Sequence, residues 1–162
     1  MEESVYNGCH PSGELPGGLH VQRRASILNN DLLSGKLYVT KSEWLSLLKN
    51  EPRQMDTVTN WVSCFALAVN EVNASYGRIV TAPTNGSAGV IPAVIMYLLY
   101  FHDEISQQDI RQFLLVSSEI GMLFKKGATI SAAAGGCQAE IGVSSAMAAG
   151  ALTFSLGGNI RQ

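Results

Sequence analysis

MDTVTNWVSCFALAVNEVNA, residues 55–74, repeats its apolar side chains at the helical interval. Val58, Val62, Phe65, Val69 and Val72 recur at spacings of three and four, which places them on one face of a helix. Ser75-Tyr76-Gly77 stops the pattern. Beyond it, Arg78-Ile79-Val80-Thr81 reads as extended, but it is too brief to imply a sheet. A tight loop follows, Ala82-Pro83-Thr84-Asn85-Gly86-Ser87-Ala88-Gly89, and then an apolar run from Val90 to Phe101. That run is about 12 residues, short of the roughly 20 a membrane-spanning helix needs, so it predicts a core helix. Pro92 falls in its first turn, where a missing N–H costs little.

Moving toward the N-terminus, Thr40-Lys41-Ser42-Glu43 has the form of a capping box and predicts a short helix ending near Asn50. The segment 1–35 reads as irregular, because Gly8, Pro11, Gly13, Pro16, Gly17 and Gly18 break any regular element. It predicts an ordered loop or a loose terminus. Moving toward the C-terminus, Ser106 with Asp109 marks another helix start, and Lys125-Lys126-Gly127 its end. A small-residue loop, Ala128 to Gly136, leads to a last helix from about Gln138 to Leu156. That helix is built almost wholly of Gly, Ala and Ser, so it requires a close helical neighbour to exclude water. No repeat and no alternation of strands with helices is present. The expectation is an all-α fold, with an irregular segment at 1–35 and a helical body at 36–162.

Composition supports a buried core, with 46% hydrophobic residues and 15% charged, against roughly 25% charged in an average domain. A net charge of −2 and no basic stripe argue against nucleic acid. The opening Met1-Glu2-Glu3 is acidic with no apolar core behind it, unlike a secretory signal. Cys9, Cys64 and Cys137 are too widely spaced for a disulfide framework or a metal knuckle, and a reducing cytoplasm is the simplest compartment.

Two stretches carry chemistry. In Thr81 to Gly89, two glycines allow close approach, Thr84, Asn85 and Ser87 supply short donors, and the following helix offers free N–H groups. The combination suits a carboxylate or phosphate; it would equally make a capped loop with no ligand. In Ser131 to Glu140, Cys137 opens a helix, where the positive field favours thiolate. Such a thiolate serves as nucleophile or soft metal ligand, while a buried structural cysteine is the plainer alternative. Glu71, Glu119 and Glu140 are candidate bases on apolar helices, each by default solvent-facing. His10, His20 and His102 have no metal-ligand spacing. Lys125 and Lys126 would carry a Schiff base only if buried.

At these stretches the sequence resembles a known family. Asn70 to Pro92 is similar to the core signature of the bacterial iron–sulfur-dependent L-serine dehydratases. Gly136-Cys137-Gln138-Ala139-Glu140-Ile141-Gly142-Val143, with Met147-Ala148-Ala149-Gly150 behind it, resembles their first cluster-cysteine motif, and Leu15-Pro16-Gly17-Gly18-Leu19 with Arg23-Arg24-Ala25 is also similar. The resemblance implies a cytoplasmic lyase of amino-acid degradation that feeds gluconeogenesis and converts L-serine to pyruvate and ammonia. It implies a [4Fe–4S] cluster with one open iron acting as Lewis acid, and no pyridoxal phosphate. Cys137 matches the first cluster ligand. Thr84, Asn85, Gly86 and Ser87 match the segment expected to hold the substrate; the base is not assigned. The family's other two cluster cysteines lie beyond the last helix, and a regulatory (beta) domain stands before or beside this region. The chain is therefore expected to be a fragment of the catalytic domain, to hold no cluster alone, and to self-associate as a homo-oligomer. A non-catalytic helical interaction module is the competing reading. A hydrolase using Cys137 or Ser87 is a third, and it needs a histidine partner.

Overall fold

A computed structural model describes residues 1–162 as eight helices with no strand; a single bridge pairs Glu14 with Gln22. The helices are α1 (Glu2–Gly8), α2 (Ala25–Leu33), α3 (Lys41–Lys49), α4 (Met55–Ala74), α5 (Val90–Phe101), α6 (Gln107–Gly127), α7 (Ala132–Gly135) and α8 (Cys137–Ser155). The all-α expectation holds. None of these helices is long and apolar enough to cross a membrane.

α5 explains how the rest is arranged. It is apolar all round, so both faces must be covered. Ala93, Met96 and Tyr100 face a core with α1 to α4, where Val5, Trp44, Leu48, Trp61, Phe65 and Val69 are buried. Ile91, Ile95 and Leu98 face a second core with Phe113 of α6 and Val143, Met147, Ala148 and Ala151 of α8. The spacing within each set is three or four, so one helix serves as the partition between two cores.

The close neighbour that α8 requires is α6. A β-carbon added at Gly150 would lie 2.4 Å from Ile120 Cδ1, and one at Gly121 3.0 Å from Met147 Cε. Small residues on one helix receive larger ones from the other.

Segment 1–35 is not wholly irregular. α1 and α2 flank the glycine-rich loop, and both owe their place to α4. Gly8 lies against the Ala68 backbone. The start of α2 has no local side-chain cap; instead Glu71 Oε1 accepts from the N–H of Arg24 at 2.7 Å and of Ala25 at 3.2 Å. Glu71 is thus buried and structural rather than solvent-facing. Residues 78–81 form no strand, and the predicted small-residue loop contains the one-turn α7.

Candidate functional site

The loop between α4 and α5 is fastened from inside. Asn73 Nδ2 on α4 donates to the Asn85 carbonyl at 3.2 Å, and Thr81 Oγ1 donates to Asn85 Oδ1. Thr84 Oγ1 and Ser87 Oγ lie 3.1 Å apart, and Ser87 is fully buried. Gly89 is pressed onto α4: a β-carbon there would stand 2.4 Å from the Ala66 carbonyl oxygen and 3.0 Å from Asn70 Oδ1. That buried Asn70 oxygen has no hydrogen-bond partner. With its base anchored, the loop presents Asn85 and Gly86 to solvent, with Thr84 half-buried between. The four residues expected at a substrate site therefore divide. Ser87 braces the loop from beneath, and Asn85 and Gly86 form its outer edge.

α8 comes to the same edge. A β-carbon at Gly86 would lie 2.7 Å from Glu140 Oε2 and 3.2 Å from Oε1. Only glycine lets that carboxylate sit against the loop backbone. Glu140 stands in the first turn of α8, three residues after Cys137, so both side chains share a helix face. Cys137 is exposed, at the first residue of α8, after Gly136 with φ of 72°. Residues 131–138 are all exposed, and from Ala132 to Gly136 no side chain exceeds a methyl group. The Cys137 thiol is open to a bulky group on that side.

The other two cysteines belong elsewhere. Cys9 and Cys64 are buried in the first core with sulfurs 3.9 Å apart, and the Cys64 thiol also donates to the Ala25 carbonyl at 3.4 Å. The bond to Cys64, with burial, raises the Cys9 thiol well above its ordinary range. No three His, Cys, Asp or Glu side chains converge to hold a metal. Cys137 stands apart from both Cys9 and Cys64, on α8.

The remaining candidates lie apart. Glu119, Lys125 and Lys126 are exposed on α6. His10 bonds the Tyr6 carbonyl and Tyr38, and His20 bonds Glu14. His102 caps α5 and lines a cleft of about 480 Å³ with Arg53, Asp103 and Ser155; burial pushes its imidazole below the ordinary value. No histidine hydrogen-bonds Cys137 or Ser87, so the hydrolase reading lacks its base. A cleft of about 560 Å³ among Ser4, Asn7, Arg23, Ser75 and Arg78 borders residues 77–80, which lead into the loop, and does not contain it.

Comparison with known proteins agrees with the resemblance. The whole chain, residues 1–162, matches the family described as serine dehydratase alpha chain. It is 44% identical over 159 residues to an L-serine dehydratase of Haemophilus influenzae, covering 98% of this chain and 32% of that protein. It is 42% identical to L-serine dehydratase 1 of Escherichia coli and 43% identical to an L-serine dehydratase of Streptomyces coelicolor, in each case over all of this chain and 33% and 32% of theirs. The chain thus spans about a third of the length of the curated relatives it matches. With a match that runs from its first residue to its last, the chain belongs to the serine dehydratase alpha chain family.

Proposed function

We propose that this chain is the part of an L-serine dehydratase that holds the amino-acid substrate and one corner of a [4Fe–4S] cluster. The observation that supports the reading is the meeting of Gly86 with Glu140 in the first turn of α8, the turn that Cys137 opens. A cluster with one iron not held by cysteine supplies a Lewis acid that turns a hydroxyl into a better leaving group.

The chain's own residues do the rest. The Thr84 hydroxyl and the Asn85 side-chain amide receive the substrate carboxylate. Ser87 and Ala88, both fully buried, keep those donors from shifting when the anion enters. Cys137 is exposed at the first residue of α8, beside a run of side chains no larger than methyl, and this fits a cluster ligand. Its co-ligands come from polypeptide other than these residues, since Cys9 and Cys64 are paired in the core. The regulatory domain expected of such an enzyme also lies outside these residues.

Two measurements test this. In the full-length protein containing this chain, Cys137→Ala should abolish both the brown colour of the anaerobically purified enzyme and the release of pyruvate from L-serine. Retention of both overturns the reading. The 162-residue chain alone, treated anaerobically with iron and sulfide, should stay colourless and form no pyruvate. Brown, active protein would show that one exposed thiol is enough.

A further inference from the structure

The edge that suits an anion also carries a negative charge of its own. The Thr84 hydroxyl and the exposed Asn85 amide of the loop suit a carboxylate. Beside them stands Glu140, whose Oε2 would lie 2.7 Å from a β-carbon at Gly86. A carboxylate in that position repels a simple anion such as phosphate or a hydroxy acid. It is not spent on a cation of the chain, because the ion pairs here use Glu2, Glu3, Glu14, Glu51 and Asp103. Nor does it cap a helix as Glu71 does.

An attractive and a repulsive feature in contact are complementary to a ligand that carries both charges. An α-amino acid does, with its carboxylate and ammonium on the same carbon. From the geometry we infer that Glu140 is the specificity-determining residue for α-amino acids: its carboxylate accepts hydrogen bonds from the substrate ammonium while the Thr84–Gly86 edge holds the substrate carboxylate. The inference rests on the loop being the substrate site.

The test uses a ligand pair differing only in the amino group, L-serine and 3-hydroxypropionate, titrated into the chain while the backbone amides of Gly86 and Ser87 are followed by NMR. Wild type should bind L-serine about tenfold more tightly or better, the scale of a charge-assisted hydrogen bond. Glu140→Gln, nearly isosteric, should bring the two affinities within about twofold by weakening serine and strengthening 3-hydroxypropionate, since the repulsion is gone. Glu140→Asp should keep part of the preference. Circular dichroism verifies that both variants fold. A Glu140→Gln protein that still prefers serine as wild type does overturns the inference alone, as does equal weakening of both ligands. Wild type that binds no L-serine overturns the substrate site, and this inference with it.

Discussion

A β-carbon at Gly8 would stand 2.1 Å from the Ala68 carbonyl oxygen, and one at Gly89 2.4 Å from that of Ala66. Both obstacles are backbone, on consecutive stretches of α4, and backbone inside a long helix does not move aside. α4 is thus a bench on which α1 and the start of α5 are laid directly, main chain on main chain. Gly8→Ala should therefore cost at least the 1–3 kcal/mol typical of overpacking, read as a fall in the urea midpoint with little change in slope. Gly18→Ala, where nothing lies within 4 Å, is the control and should be nearly neutral. Equal midpoints for the two variants would mean that α1 is not seated on α4. Gly86 differs from Gly8 in kind. What its missing side chain admits is the Glu140 carboxylate rather than the backbone of a helix.

Two helices are set by their own first turns. Thr40 Oγ1 accepts from the Glu43 N–H at 3.2 Å while Glu43 Oε2 accepts from the N–H of Val39 and Thr40; Ser106 and Asp109 repeat the arrangement. Thr40→Ala should cost about 1 kcal/mol, measured by thermal unfolding. The pH dependence has a definite sign. Backbone N–H groups, that of Val39 foremost, hold Glu43 below its ordinary 4.5, and the Ser106 hydroxyl foremost holds Asp109 below 3.8. Carboxylates lowered in the folded state stabilise it above those ordinary values, and the benefit is lost as pH falls through the lowered ones. Both side chains are open to solvent, so salt should weaken the effect. A Glu43→Gln, Asp109→Asn protein should lose less stability than wild type between pH 5 and pH 3, roughly the carboxylate range; parallel curves would refute the cap assignment. These boxes explain what the sequence discloses. α3 and α6 are announced by four adjacent residues, and α4 and α5 by apolar period and flanking breakers. α1 and α2 are not, because Gly8 is held by Ala68 and Arg24-Ala25 are capped by Glu71, partners remote in sequence. The site divides the same way. Thr84 to Ser87 and Cys137 are visible as local chemistry, whereas the contact of Gly86 with Glu140 joins two elements and leaves no local signal.

At the scale of the molecule, α5 makes two cores into one cooperative unit. Trp44 and Trp61 both lie in the core formed with α1 to α4, so tryptophan fluorescence reports that core alone. Phe113 is fully buried in the other, against α8 and the opposite face of α5. If α5 were a passive spacer, damage around Phe113 would melt α6 and α8 first and leave the tryptophans undisturbed. But Ile91, Ile95 and Leu98 stand on the same rigid helix as Ala93, Met96 and Tyr100, so loss of one face loosens the other. Phe113→Ala, at a cost of about 3–5 kcal/mol, should shift the fluorescence midpoint in urea as far as the circular dichroism midpoint, with the two curves superimposed. Separate transitions would mean independent lobes. The difference bears on the proposed site, because Ala88 of the loop is buried in the core with α1 to α4, whereas α8, which carries Cys137 and Glu140, buries Val143 and Met147 in the other. A shared partition helix, with the direct contact of Gly86 and Glu140, would hold that proposed site to the close tolerance that an oriented substrate demands.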